Sequence, residues 1–125
     1  MTPDTREMML KTSLRAFGVV FMLVYPLAMI WPSGWQWHGG EGQYYFQMIV
    51  GIYAVLGAFL IIAANNPAEH RSLIGFTIWS SVVHALIMAS QAIGDSNETG
   101  HLYGDIPALI LVAIILGYLF PKKAA

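Results

Sequence analysis

The third hydrophobic segment of the chain reads SLIGFTIWSSVVHALIMASQAI over residues 72–93, and it decides the class of fold. It contains no Lys, Arg, Asp or Glu. A bilayer core of ~30 Å needs ~20 helical residues, so this segment is long enough to cross a membrane as one helix. The composition agrees: of 125 residues, 57% are hydrophobic and 10% charged, and the mean hydropathy is +0.60. A soluble domain of this size could not bury so much apolar surface.

Three further segments share this apolar character, and together the four predict an all-α integral membrane protein. We place the spans at Thr12–Trp31, Tyr44–Ala64, Ser72–Ile93 and Asp105–Phe120. The connections are short, so consecutive helices should be antiparallel neighbours in an up-down-up-down bundle. No linker or internal repeat interrupts them, and we expect residues 1–125 to form a single transmembrane domain.

The cationic side chains all fall on one side of this arrangement. They precede span one, separate spans two and three, or follow span four: Arg6, Lys11, Arg15, Arg71, Lys122 and Lys123. The connections on the other side, Pro32–Gln43 and Gly94–Gly104, carry acidic residues but no Lys or Arg. Short loops rich in Lys and Arg stay in the cytoplasm. The pattern therefore predicts a multi-pass protein of the cytoplasmic (inner) membrane with both termini in the cytoplasm.

Charge and motifs exclude several functions. The net charge is -1 and the cations are dispersed, so the basic patch of a nucleic-acid-binding protein is missing. Without Cys there are no disulfides, thiolate metal sites or cysteine nucleophiles. The motifs G-x-S-x-G, Walker A and H-E-x-x-H are absent. We predict no catalytic residues, no cofactor and no resident metal.

Span three separates its polar side chains from its bulky ones. At ~100° per residue, one half of the helix holds the polar residues and the alanines, and the other half holds Phe76, Trp79 and large aliphatic residues. The polar half should face protein and the bulky half lipid. Small residues at a spacing of four allow close helix packing, and we expect spans two and three to pack tightly through them. The residues are Gly51, Ala54 and Ala58 in span two, and Ser81, Ala85 and Ala89 in span three.

His84 lies ~18 Å from the cytoplasmic start of span three, close to the membrane midplane. Three roles are open: a hydrogen-bonded structural histidine, a ligand contact, or proton or metal chemistry. We expect a neutral side chain, shielded from lipid, with a hydrogen-bond partner that could be Tyr53, Thr77, Ser80 or Tyr25. Pro26 should kink span one and so open a pocket beside it. The residues proposed to contact a ligand there are His84, Gln91, Met88, Thr77, Ser81, Tyr53 and Tyr25.

The predicted outer loops carry weaker candidates. A metal site there would use His38, Glu41, His101 and Asp105, but their loose spacing favours solvated acidic loops. Asp105 should cap span four through the backbone N–H of Ala108, because Pro107 has no donor. Aromatic residues near the outer span ends predict an interfacial belt, with a lid over a ligand as the alternative. They are Trp31, Trp35, Trp37, Tyr44, Tyr45 and Tyr103.

The pattern of Asn66-Pro67, Thr77, His84 and Gln91 resembles an uncharacterised family of small four-span bacterial membrane proteins. It is also faintly similar to the ergosterol-biosynthesis scaffold family, whose third span carries a Thr and a His seven residues apart after an Asn-Pro turn. That resemblance implies a non-catalytic scaffold or a lipid-associated role.

Three functional hypotheses follow from these patterns. The first is a non-enzymatic protein that acts by association in the lipid bilayer, as a homo-oligomer, a scaffold or an accessory subunit of a membrane complex. The second is a binder or carrier of a small hydrophobic molecule, such as a lipid or quinone, around His84. The third is proton or ion transport, for which His84 is the one deeply placed ionisable group in the spans.

Overall fold

The computed structural model describes residues 1–35 and 42–123, and throughout these ranges the regular structure is helical, without a strand. The α-helices are α1 (Pro3–Met22), α2 (Val24–Ile30), α3 (Pro32–Trp35), α4 (Gly42–Ala63), α5 (Arg71–Gly94) and α6 (Asp105–Tyr118). A short 3₁₀ helix, Pro67–His70, precedes α5, and a longer one, Ser96–Leu102, precedes α6.

Three helical segments are long and apolar enough to cross a membrane: Tyr44–Ala63, Pro67–Gly94 and Ser96–Tyr118. A fourth crossing exists if α1 and α2 are taken together as one broken span. The predicted spans two, three and four agree with α4, α5 and α6 to within two residues at each end. Span one differs, because α1 begins at Pro3, where the Thr2 hydroxyl accepts from the backbone N–H of Thr5 at 3.2 Å and caps the helix.

The helix of span one breaks at Leu23, and the axes of α1 and α2 differ by 58°. Pro26 has no backbone N–H, so the carbonyl of Met22 lacks the donor that would normally lie four residues further on. The predicted kink is confirmed. Its consequence is that Val24–Ile30 leaves the line of α1 and does not continue along the bundle.

The helices pack in two main pairs, α1 with α4 and α5 with α6. Gly18 and Gly57 let the first pair touch through backbone atoms. A Cβ added at Gly18 would lie 2.6 Å from the carbonyl oxygen of Gly57, and one added at Gly57 would collide with the carbonyl oxygen of Gly18. Neither position can hold a side chain without moving the helices apart.

The expected tight packing of spans two and three is wrong, because α4 has only slight contact with α5. Gly51 has no neighbouring atom within 4 Å of a Cβ position, and Ala54 and Ala58 are half-buried. Ser81 and Ala85 are buried, but the main partner of their helix is α6. Small residues do mark a close approach between two helices. The glycine of α4 that makes this contact is Gly57, and its partner helix is α1.

The orientation predicted for α5 is confirmed. Thr77 and Ser81 are 0% and 1% exposed, whereas Trp79 and Leu86 on the opposite half are 70% and 66% exposed. One hydrophobic cluster joins the four long helices. Its fully buried members include Leu14 of α1, Leu60 of α4, Ile74 of α5 and Leu116 of α6.

The cationic residues Arg6 and Arg71 meet at the C-terminal end of α6. Arg6 Nη2 donates to the carbonyl oxygens of Tyr118 at 2.9 Å and Phe120 at 3.3 Å. Arg71 Nε donates to the carbonyl of Pro121 at 2.9 Å, and its guanidinium lies 5.0 Å from the centre of the Phe120 ring. Carbonyls at a helix end lack intrahelical donors and carry the negative end of the helix dipole, so cations stabilise them. We call this end of the molecule the basic end.

A matched pair of substitutions in α4 tests the contact between Gly18 and Gly57. We expect Gly57→Ala to lower the free energy of unfolding by about 1–3 kcal/mol, because its methyl group must displace the backbone of α1. Gly51→Ala is the control, since its methyl group enters open space and alanine favours a helix over glycine by up to about 1 kcal/mol. Thermal unfolding in mild detergent measures both. Equal midpoints for the two variants would contradict the packing described here.

Candidate functional site

A cavity of about 580 Å³ lies among the α-helices, and each of the six contributes to its wall. Most of its wall is aliphatic or aromatic, and few polar side chains reach it. These are Tyr53 of α4, His84 and Gln91 of α5, and Asp105 of α6. Sites for small molecules have this size and character, with an apolar wall and a few polar groups that fix orientation.

Tyr53 and His84 form a hydrogen-bonded pair at the cavity wall. The Tyr53 hydroxyl lies 2.6 Å from His84 Nδ1, and the Phe21 ring meets the Tyr53 ring edge to face at 5.0 Å between centroids. When Nδ1 accepts from the hydroxyl, the imidazole carries its proton on Nε2, which is then available to donate. The expected hydrogen bond of His84 is present, and its partner is Tyr53 among the four that were considered. The contact with Phe21 of α1 holds the Tyr53 ring, and with it the pair, in position.

The structure brings together four of the seven predicted ligand contacts: Tyr53, His84, Met88 and Gln91 all line the cavity. The other three do not line it. Thr77 donates to the carbonyl of Leu73 in its own helix at 2.9 Å. Both Thr77 and Ser81 are buried, and they lie nearer the basic end than the cavity does. Tyr25 is 47% exposed, since the bend after α1 turns Val24 towards the cavity in its place.

A buried charged cluster stands where the sequence predicted solvated loops. His101 lies between two carboxylates: its Nδ1 is 2.8 Å and 2.9 Å from the two oxygens of Asp105, and its Nε2 is 3.0 Å from Oε2 of Glu98. His101 is 0%, Glu98 4% and Asp105 9% exposed. Carboxylates on both ring nitrogens suit a doubly protonated imidazole, which donates from each. We call these three residues the acid–imidazole cluster.

Local sequence chemistry forms the 3₁₀ helix that presents this cluster. Asp95 Oδ1 accepts from the backbone N–H of Asn97 at 2.9 Å and starts the helix, and the Thr99 hydroxyl donates to the carbonyl of Ser96 at 3.0 Å. Glu98 and His101 are three residues apart, which is one turn of the 3₁₀ helix, and Asp105 follows four residues later at the start of α6. That spacing was the available signal, and the intervening Gly104 obscured it.

The short helix α3 lies against the segment that carries the cluster. The helix α3 packs on the 3₁₀ helix Ser96–Leu102 with backbone against backbone. A Cβ at Gly100 would collide with the carbonyl of Ser33, and one at Gly104 would collide with the carbonyl of Gly34. The two glycines therefore allow α3 to close over side chains that would otherwise be solvated.

Two expectations for this region need correction. Asp105 does not cap α6 through Ala108, because that N–H bonds to the carbonyl of Gly104 at 3.3 Å and the Asp105 carboxylate is held by His101. The solvated-loop interpretation is wrong for Glu98, His101 and Asp105, which are buried. Two of the weak metal candidates, His38 and Glu41, lie outside the described residues. Within residues 1–35 and 42–123, no group of three His, Cys, Asp or Glu side chains is placed to hold a metal ion.

Comparison with known proteins assigns the chain to a family. It belongs to DUF6632, a family of unknown function, whose model matches residues 4–124. The chain is also similar to ferric-chelate reductase 1 from Bos taurus, with 37% identity over 90 residues. Those residues make up 70% of this chain but 14% of the reductase, so the chain spans only a small part of that relative. No solved structure gives a significant match.

Removal of the imidazole tests whether the acid–imidazole cluster stabilises the fold. We expect His101→Leu to lower the free energy of unfolding by about 3 kcal/mol or more, because two buried carboxylates lose the group between them. His70→Leu is the matched control at the basic end, and we expect it to change stability by less than about 0.5 kcal/mol. Chemical unfolding followed by circular dichroism would compare them. Similar small losses in both variants would show that the cluster contributes little.

Proposed function

We propose that the protein binds a small hydrophobic molecule in the cavity between its helices. The observation that carries this proposal is an apolar space of about 580 Å³ whose few polar groups are already oriented. A ligand would place its apolar body against the aromatic and aliphatic wall. Its polar end would meet the Tyr53–His84 pair, Gln91 or Asp105.

Entry from the bilayer is consistent with the wall of the cavity. Several of its apolar side chains are also exposed on the outer surface of the helices, among them Ile49 of α4 at 41%, Ile87 of α5 at 52% and Leu111 of α6 at 51%. Such side chains face lipid when the helices span a membrane. A hydrophobic molecule dissolved in the bilayer could therefore reach the cavity without crossing water.

For the topology, we propose that α1 and α2 form one broken span. With α4, α5 and α6 they would make a single four-span, antiparallel transmembrane domain. The basic end would face the cytoplasm and the acid–imidazole cluster the outer side of the inner membrane. The collection of Arg6, Arg71 and the C-terminal segment at one end supports this orientation through the positive-inside rule.

Association with a second copy or with another membrane subunit stays a prediction, and it is compatible with ligand binding. The faint resemblance of Asn66-Pro67, Thr77 and His84 to the ergosterol-biosynthesis scaffold family is not supported by the comparisons, which match DUF6632 and part of a ferric-chelate reductase. Proton or ion transport also stays a prediction. Native mass spectrometry of gently extracted protein reads the number of copies and any bound mass in one experiment.

A cavity-filling substitution tests whether the cavity holds the ligand. We expect Val50→Trp, on the wall, to lower the co-purifying small-molecule mass several-fold, because the indole occupies the space. Val55→Trp in the same helix is the control: Val55 is 59% exposed, so its indole should face lipid and leave the bound mass unchanged. Native mass spectrometry after extraction in mild detergent measures the occupancy. Wild-type protein without any bound small molecule, or equal occupancy in both variants, would refute binding in this cavity.

The polar end of the site is tested through His84. His84→Leu keeps most of the volume and removes one hydrogen bond, so we expect a stability loss of only about 1 kcal/mol. The bound mass should nevertheless fall, since the ligand loses its polar contact, while His70→Leu should retain it. If His84→Leu keeps full occupancy, the histidine has a structural role only.

A further inference from the structure

The cavity wall combines a carboxylate with an unusual number of aromatic rings. Asp105 reaches the wall at the N-terminal end of α6 and is itself 9% exposed. Six aromatic side chains share the wall: Phe17, Phe21, Trp35, Tyr45, Phe46 and Tyr53. The faces of aromatic rings attract cations, and quaternary ammonium ligands are recognised by cages of such rings.

No Lys or Arg side chain lines the cavity beside this carboxylate in the described residues, and the basic group that bonds to it is the imidazole of His101. Arg6 and Arg71 bind carbonyls beyond the far end of α6, a helix of 14 residues, and so lie ~20 Å away along its axis. Lys11 pairs with Glu7 at 2.8 Å in α1. These three cations therefore have partners away from the cavity.

The imidazole beside Asp105 leaves the carboxylate with capacity for a further partner. His101 is shared with Glu98, so a single imidazole lies between two carboxylates. Both oxygens of Asp105 approach the same nitrogen, Nδ1, at 2.8 Å and 2.9 Å. A carboxylate has about four acceptor positions on its two oxygens, and the N–H groups of His101 and Ile106 use only part of them. In a low-dielectric wall, the attraction of a carboxylate for a nearby cation is strong.

We infer that the ligand is a lipophilic amine, with an apolar body, one ammonium group and no anionic group. This inference rests on the proposed function and names the ligand class for the same cavity. The ammonium binds Asp105 among the aromatic rings, and the apolar body lies along the aliphatic wall. An anionic head group is repelled by Asp105, and a neutral alcohol gains a hydrogen bond without the charge.

Three probes with one tail separate these possibilities: dodecylamine, dodecanol and dodecanoate. At pH 7 the amine is an ammonium, as a Lys side chain is, and the acid is an anion. Each is titrated into the full chain in non-ionic detergent, and its Kd is obtained from native mass spectra and from the rise in unfolding temperature that ligand binding produces. We expect the amine to bind about tenfold or more tightly than the alcohol, and the acid to bind most weakly.

Substitution of the carboxylate completes the test. In Asp105→Asn the amine should lose its advantage over the alcohol, because the amide keeps the shape and removes the charge. Asp95→Asn is the matched control, since Asp95 is exposed just before the 3₁₀ helix and does not line the cavity; it should keep the preference. If Asp105→Asn does not fold, the order of the three probes in the wild-type protein decides.

The possible outcomes separate a failure of the amine assignment from a failure of the proposed ligand-binding function. An amine preference that disappears in Asp105→Asn and persists in Asp95→Asn supports the inference. If the alcohol or the acid binds as tightly as the amine, the ligand is not an amine, but the cavity still binds hydrophobic molecules. The same conclusion follows if the preference for the amine survives Asp105→Asn. If none of the probes binds and Val50→Trp changes nothing, the proposed function fails with it.

Discussion

The interior of a bilayer admits a polar or charged side chain only when that side chain is paired, and this constraint governs the arrangement of the whole molecule. The helix α6 shows it at both ends. Arg6 and Arg71 bind the carbonyls that follow its last turn, and His101 holds Asp105 in its first turn. Between these levels, the polar hydroxyl of Tyr53 meets the imidazole of His84. Of the other polar groups between these levels, the hydroxyls of Thr77, Ser80 and Ser90 bond to backbone carbonyls of their own helix.

Backbone contact between α1 and α4 and the pairing of α5 with α6 leave space between the two pairs. Gly18 and Gly57 bring α1 and α4 so close that α4 is drawn towards α1, with only slight contact to α5. The break at Leu23 directs α2 away from the axis of α1. Beyond Leu23, therefore, the first helix does not continue alongside α4. The cavity is the result of these two features, and its aromatic wall comes mainly from α1 and α4.

At the end of the molecule opposite the basic end, two short helices that are distant in sequence are in contact. The helix α3 lies on the 3₁₀ helix Ser96–Leu102, where Gly100 and Gly104 permit backbone contact. Glu98 and His101 are buried beside this contact, and Asp105 lines the cavity. A segment that resembles an ordinary polar loop in the sequence therefore supplies the carboxylate at the polar end of the cavity. Membership of a family of unknown function says nothing about a ligand. The proposed ligand class therefore depends on the chemistry of the cavity wall.

The sequence by itself determined the spans of α4, α5 and α6, the bend at Pro26, the inward face of α5 and the grouping of cations at one end. These features depend on hydrophobic length, on a missing N–H and on helical periodicity, all of which are local properties. Only the tertiary structure decided that Gly57 and not Gly51 meets a neighbouring helix, and that Tyr25 turns away from the cavity. It also decided that Glu98, His101 and Asp105 are buried. A small or polar residue shows that a close approach or a partner is needed, but which distant segment supplies it depends on the packing of all the helices together.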